Sequence, residues 1–349
     1  MHLREVPQYL QDLKEAAQSM DLSPLQGKKV LITGATGLIG SAVVDLLLYH
    51  NRAAHAGMTV YAASRSCANV QRRFPDAGEQ DGLIPVEYDA TRPIRLDFSA
   101  DYIIHAASNA TPGAYVEQPV DTMMANIMGL YELMQYATRT GTKRVMYVSS
   151  SEVYGNMPKA EALEEGDYGY VNLLNLRSSY PMGKRAAETL CFCYAGQYHL
   201  DTVIVRPGHI YGPTATASDM RISSDFARKA AAGETLVMKS AGTQMRSYCH
   251  CLDCATAILT VLLKGECGQA YNISNKNAVI NIRDMAALLA KAGGVQLVQE
   301  IPDSAAKAAF NPMDNSSLNA QRLEALGWEG VFDAEKGLSS TVHILRCIQ

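Results

Sequence analysis

Tyr180 and Lys184 stand four positions apart in the run Tyr-Pro-Met-Gly-Lys. On a helix that spacing puts a phenol and an ammonium on one face, where both can serve the same site. A nearby positive charge favours phenolate, so the pair predicts a lowered pKa for Tyr180 and a general acid and base working near neutral pH. The pattern is short, and a plain helix face is the alternative. Upstream, Ser149-Ser150-Ser151-Glu152 follows the apolar run 144–149. Such residues at the C-terminal edge of a parallel sheet stand where α/β proteins bind ligands. Glu152 could move a proton, or it could be a structural carboxylate paired with a neighbouring cation.

A second constellation is Gly34-Ala35-Thr36-Gly37-Leu38-Ile39-Gly40, which follows an apolar run and opens a helical stretch. The strand, turn and helix context makes a weak glycine motif into a candidate dinucleotide site. Gly34 permits the tight turn, Gly37 lets backbone N–H groups approach a pyrophosphate, and Gly40 lets helix and strand pack closely. NAD or NADP is the expected cofactor, and Lys184 can hold its nicotinamide ribose. After the next apolar run the chain reads Ser64-Arg65-Ser66, with no carboxylate for the adenosine ribose. Ser64 and Arg65 could bind a 2′-phosphate, which favours NADP; an Arg65 stacked on adenine or turned to solvent is the alternative. Asp89, followed by Ala90, is placed to accept from the adenine amino group or to close a turn. Ala106, Ala107 and Ser108 are small enough for a cofactor to lie close, and equally suit core packing.

These groups need a scaffold, and the chain supplies one. Apolar runs at 30–33, 59–63, 84–88, 102–106, 144–149 and 202–205 alternate with helical stretches at 41–50, 121–138 and 179–196. That alternation predicts βαβ units and an α/β, doubly wound parallel sheet of the Rossmann type. Residues 1–26 carry Val6, Leu10, Leu13, Ala17 and Met20 at helical spacing, a helical extension ahead of the dinucleotide-binding domain at 27–205. A smaller α/β lobe at 206–349 is expected to bind substrate, with helices at 224–232, 254–263 and 282–292 and from 333. Short returns such as 270–273 are expected to pair with the main sheet. The composition, with 48% hydrophobic and 19% charged residues, is that of a folded globular chain.

Net charge is −4 and no Lys/Arg cluster exceeds a pair, so no nucleic-acid footprint exists. No apolar run approaches the roughly 20 residues of a membrane span, which predicts a cytoplasmic protein without a membrane partner. Eight cysteines without a secretory leader read as reduced thiols. Cys249, His250, Cys251 and Cys254 could in principle ligate zinc. Strand alternation would turn His250 away from Cys249 and Cys251, and no second CxxC completes a site, so no metal is expected.

Together these features resemble the extended short-chain dehydrogenase/reductases, the nucleotide-sugar epimerase/dehydratase group, from about residue 27 to the C-terminus. The resemblance rests on the glycine loop, Asp89, "HAAS" at 105–108, Asn126 in its helix, "SSSEVYG", Tyr180/Lys184, "VRPGHIYGP" at 205–213, Arg246 before Asp253, and "ALGW" at 325–328. It implies that Ser150 and Tyr180 hydrogen-bond the reacting sugar hydroxyl. It also implies that Lys184, Asn126 and Pro207 lie on the cofactor side and Arg246 near the substrate diphosphate. Arg177 and Arg221 are further candidates for a carboxylate or diphosphate, by bidentate hydrogen bonding. The stretches 168–190 and 218–234 look most like UDP-glucuronate decarboxylases, which carry Thr-Ser-Glu where this chain has Ser150-Ser151-Glu152. The 4,6-dehydratases have Asp-Glu there, so Ser151, expected to contact substrate, weakens a dehydratase reading.

The expected activity is therefore that of an NAD(P)-dependent nucleotide-sugar enzyme working through a 4-keto intermediate, decarboxylase-like. A 4-epimerase is the alternative. A dehydratase, an NADPH-dependent ketosugar reductase and a catalytically silent cofactor-binding protein stand behind it. A homodimer is expected, pairing through the helices at 121–138 and around Tyr180.

Overall fold

The computed structural model describes residues 1–108, 112–300 and 314–349. Seven strands form one parallel sheet: β1 (Lys29–Thr33), β2 (Thr59–Ser64), β3 (Leu83–Glu87), β4 (Tyr102–His105), β5 (Arg144–Val148), β6 (Thr202–Pro207) and β10 (Ala270–Ile273), in the order β10-β6-β5-β4-β1-β2-β3. Their near-continuous apolar runs follow from burial on both faces; Val30, Leu31 and Ile32 have no exposed surface. One face carries α2 (Leu38–Ala54) and α8 (Cys251–Lys264) in a shared core. The other carries α5 (Pro119–Thr140) and α6 (Ser179–Tyr198), which pack against each other. The expected return at 270–273 is β10, paired in parallel with β6.

Strand order reverses between β1 and β4, and that switch point opens a crevice at the C-terminal ends of both. The glycine loop after β1 and Ala106 and Ala107 after β4 meet there. A Cβ on Gly34 would stand 2.7 Å from the Ala106 carbonyl oxygen and 2.8 Å from the Ala107 nitrogen, at a backbone φ of +70°. Only glycine fits such a turn.

A second, smaller sheet is built on β9 (Met245–His250). It pairs with β7 (His209–Tyr211), β11 (Val279–Asn281) and β13 (Asn315–Ser316), while β8 (Leu236–Met238) pairs with β12 (Leu297–Gln299). Helices α7 (Ile222–Ala231), α9 (Ile282–Gly293) and α11 (Ala334–Ile348) close its core. The short helices α3 (Cys67–Arg73), α4 (Pro112–Glu117) and α10 (Gln321–Ala325) complete the set.

The N-terminal helix α1 (Pro7–Gln18) packs on α2, α8 and α11 with Val6 and Leu13 inward as expected, but Leu10 is turned outward. Leu10 is 41% exposed, whereas Val6, Tyr9, Leu13 and Ala16 are buried. Tyr9 takes the inner face because its hydroxyl donates to the buried Asp45 carboxylate of α2 at 2.7 Å. Asp45 also accepts from Arg73 at 2.6 Å, and its second oxygen has only an ion pair with Arg4 at 3.6 Å. The strand assumed through Cys251 also needs correction. β9 ends at His250, and α8 begins at Cys251 with the His250 ring as its cap, so alternation does not apply there. Cys249, Cys251 and Cys254 are buried free thiols. Among the described residues no group of three or more His, Cys, Asp or Glu could hold a metal ion.

Candidate active site

α6 starts at Ser179 and carries Tyr180 and Lys184 inward on one face, both buried. Its register is held by Arg206 at the end of β6, which clasps Glu188, one turn beyond Lys184, at 3.0 and 2.6 Å. The same guanidinium donates to the Glu165 carbonyl at 2.8 Å and to the Tyr154 and Tyr168 hydroxyls at 3.2 Å. A bidentate pair with its remaining donors satisfied is the arrangement in which burial of charge is tolerated. It ties α6 to the strap that follows Ser151.

Lys184 Nζ donates to the Val148 carbonyl at 2.8 Å and lies 4.7 Å from the Tyr147 ring centre. Burial pushes its ammonium down to about 7, against the charge of Glu188. The Tyr180 phenol shifts the other way from the expectation: burial raises it, opposed by the Ser150 hydroxyl and the Tyr115 phenol. Desolvation of an anionic phenolate outweighs those neighbouring donors. Tyr115, which the sequence reading missed, stacks on Tyr180 with ring centres 4.3 Å apart and 12° between planes. It comes from α4, and no spacing rule links it to α6.

Tyr180, Ser150, Ser151, Glu152, Arg177, Arg221 and Arg246 all line one cavity of about 690 Å³, as do Ile39 of the glycine loop and Pro207 at the end of β6. Ser150 caps the turn Ser151–Tyr154, accepting from the Glu152 N–H at 3.2 Å, which leaves its hydroxyl proton to donate. The three arginines differ. Arg177 is half-exposed and paired with Glu152 at 3.2 Å, the structural reading of that carboxylate. Arg221 is held by Asp219 through Nε at 2.9 Å and NH2 at 2.5 Å. Arg246 is buried, donates to its own neighbour's Met245 carbonyl at 2.8 Å, and has its pKa lowered by burial. It keeps its charge, since a guanidinium does not deprotonate in proteins. Sequence reasoning passed over His209, Gln244 and Ser316, and singled out Ser149 only as part of its serine run. They line the cavity, and each has a buried polar atom with no hydrogen-bond partner. Their only sequence signal was position, beside the ends of strands.

The glycine loop fits a pyrophosphate. α2 opens at Leu38 with no acidic residue in its first turn, and Ser41 is the first amide to bond back to Gly37. The N–H groups of Leu38, Ile39 and Gly40 are thus without helical partners, a built anion site. A Cβ on Gly40 would stand 2.2 Å from the Gly34 carbonyl oxygen, whereas one on Gly37 would meet nothing closer than 3.4 Å. Thr36 and Ser64 hydroxyls lie 3.4 Å apart beside the loop, with Arg65 exposed just beyond. Asp89 accepts from the Thr91 amide at 2.9 Å and hydroxyl at 2.8 Å, the turn role. Ala90 packs on Gly129. Asn126 is internally satisfied: Nδ2 donates to the Thr122 carbonyl at 2.7 Å and Oδ1 accepts from Ser108 and Tyr147, both at 3.1 Å. It braces the ends of β4 and β5 from α5.

Comparison with known proteins agrees with this layout. Residues 30–274 match the model of the NAD dependent epimerase/dehydratase family. UDP-glucuronic acid decarboxylase 6 of Arabidopsis thaliana is 30% identical over 326 residues, covering 90% of this chain and 90% of that protein. UDP-glucuronic acid decarboxylase 1 of Xenopus tropicalis is 28% identical over 328 residues, 93% of this chain and 74% of that protein. Among solved structures, the Thermotoga maritima UDP-glucose 4-epimerase with UDP-glucose superposes with a TM-score of 0.75 at 22% identity. It covers 92% of this chain and 99% of that one.

Proposed function

The chain belongs to the NAD dependent epimerase/dehydratase family and is an enzyme, and from that premise we propose that it decarboxylates UDP-glucuronate through a 4-keto sugar. The observation that carries this reading is the convergence of Ser150, Tyr180, Arg221 and Arg246 on one cavity beside the glycine loop. Leu38, Ile39 and Gly40 would hold a dinucleotide, which when bound would supply the hydride acceptor and, later, the donor. Tyr180, in its phenolate form with its own proton given up to solvent, takes the proton of the sugar C4 hydroxyl, and Ser150 donates a hydrogen bond to the same oxygen. Lys184 holds the ribose of the dinucleotide. Oxidation at C4 makes the C5 carboxylate a β-keto acid, which leaves as carbon dioxide while C5 gains a proton. Tyr180 then gives its proton back to the C4 oxygen, which would restore the hydroxyl as C4 is reduced.

Elimination of water would instead need an acid for the departing hydroxyl. Ser151 stands where the resemblance puts the dehydratases' Asp, and a hydroxyl is a far weaker acid than a carboxyl. Mass spectrometry of UDP-, GDP-, CDP- and dTDP-sugars incubated with the protein tests the assignment. Loss of carbon dioxide from UDP-glucuronate is expected. Loss of water from a hexose nucleotide, or isomerisation without mass change, would replace the decarboxylase reading by a dehydratase or a 4-epimerase.

The same reading takes NADP in preference to NAD, because Ser64 and Arg65 stand where a carboxylate would repel a 2′-phosphate. It makes the protein a cytoplasmic homodimer. Met124, Met128 and Tyr131 form one exposed stripe on α5, with Phe192 exposed on the adjoining α6. Pairing two copies across these helices would bury that stripe. Among the described residues no helix is long and apolar enough to cross a membrane.

A further inference from the structure

We propose that His209 binds the diphosphate of the substrate and takes up a proton from solvent as it does so, making substrate binding tighter at lower pH. This rests on the proposed function only in requiring a sugar nucleotide as ligand. His209 heads β7, which is pressed onto β9: His209 pairs with Tyr248, and a Cβ on Gly208 would stand 2.7 Å from the Ser247 carbonyl oxygen. The backbone therefore fixes where the ring can go. The ring lines the cavity, 5.8 Å from the Tyr248 ring, and its Nδ1 is buried with no hydrogen-bond partner. A buried nitrogen without a partner costs free energy unless a ligand supplies one.

The charged and titratable groups around this ring come from several elements. Arg246 and Tyr248 lie on β9, Arg221 with its partner Asp219 lies before α7, and Glu152 and Tyr180 line the same cavity. From α2 comes the apolar Ile39, and Cys251 of α8, kept protonated by burial, lies against Gly212 just past β7. Burial, then the charges of Arg246 and Arg221, push the imidazole down to about 3. A sugar diphosphate carries two negative charges. Set among His209, Arg221 and Arg246, it offsets the two cations and offers Nδ1 an acceptor, which returns the imidazole towards its ordinary value of about 6.5. Binding and protonation then assist each other by the same factor.

Titration calorimetry of the NADP-loaded Tyr180→Phe protein with UDP-glucose reads this directly, since the variant slows turnover and the probe does not itself titrate near neutrality. Repeating it in buffers of different ionisation enthalpy counts the protons taken up. About three-quarters of a proton per site is expected at pH 6.0 and about a quarter at pH 7.0, with binding about fourfold tighter at pH 6.0 than at 7.5. His209→Asn, and His209→Gln as a second variant, should still bind but with no buffer dependence. Uptake that persists in both variants, or its absence at pH 6.0 in the parent, would overturn the proposal while leaving the function intact. No binding of UDP-glucuronate or of UDP-, dTDP- or GDP-glucose would remove the function and this inference together.

Discussion

Burial of Lys184 places a measurable load on the fold. Its ammonium falls from an ordinary 10.5 to about 7, so between those values the unfolded chain holds a proton that the folded chain does not. The unfolded state is therefore favoured by this group at neutral pH, and stability rises with pH across the window. The depression amounts to about 4 kcal/mol at pH 7 and about 2 kcal/mol at pH 9, at about 1.4 kcal/mol per unit. Lys184→Met keeps the apolar stem and removes the charge. It also forfeits the bond to the Val148 carbonyl and the contact with the Tyr147 ring, an offset of about 1–3 kcal/mol that hardly varies with pH. The decisive quantity is the slope. Urea unfolding of the cofactor-free wild type and variant, from pH 7 to 9, should show the variant's relative stability falling by about 2 kcal/mol. The variant should at the same time lose turnover. A stability difference constant over that range would mean that Lys184 stays charged in its pocket, and the argument from burial would fail.

Tyr180→Phe should lower turnover by roughly 100-fold or more with dinucleotide affinity little changed, because ring packing on Tyr115 survives and only the proton carrier is lost. Steady-state rates with fluorescence titration of the cofactor check it, and undiminished turnover would end the catalytic assignment. Arg65→Ala should weaken NADP more than NAD by about 1.5–3 kcal/mol, read by titration with each; equal losses would mean stacking on adenine. Tyr9→Phe should destabilise the fold by about 1–3 kcal/mol in urea unfolding, because buried Asp45 loses a donor at 2.7 Å and its other oxygen is already poorly served. An unchanged midpoint would show that α1 does not depend on that bond.

What the amino-acid order determines by itself is local. The glycine loop, the alternation of apolar runs with helical stretches and the return of 270–273 to the sheet are legible because backbone conformation and double-sided burial act on neighbouring residues. Tyr180 and Lys184 share a face for the same reason, since a helix repeats every 3.6 residues wherever it lies. What the tertiary structure alone decides is the environment of those groups. On α1 the inner face takes Tyr9 rather than the expected Leu10, because Asp45, far along the chain, offers Tyr9 a buried partner that no periodicity encodes. The expected pull of Lys184 on Tyr180 gives way to desolvation, a property of everything packed around the pair. Arg177 and Arg221 each meet a carboxylate in the fold, Glu152 and Asp219, pairings that no spacing along the chain predicts. Tyr115 and His209 reach the cavity from α4 and β7, and only the meeting of those elements shows that a stacked phenol and an unpartnered imidazole belong to the site. Charge, burial and hydrogen-bond supply are sums over space, whereas the sequence lists residues along a line.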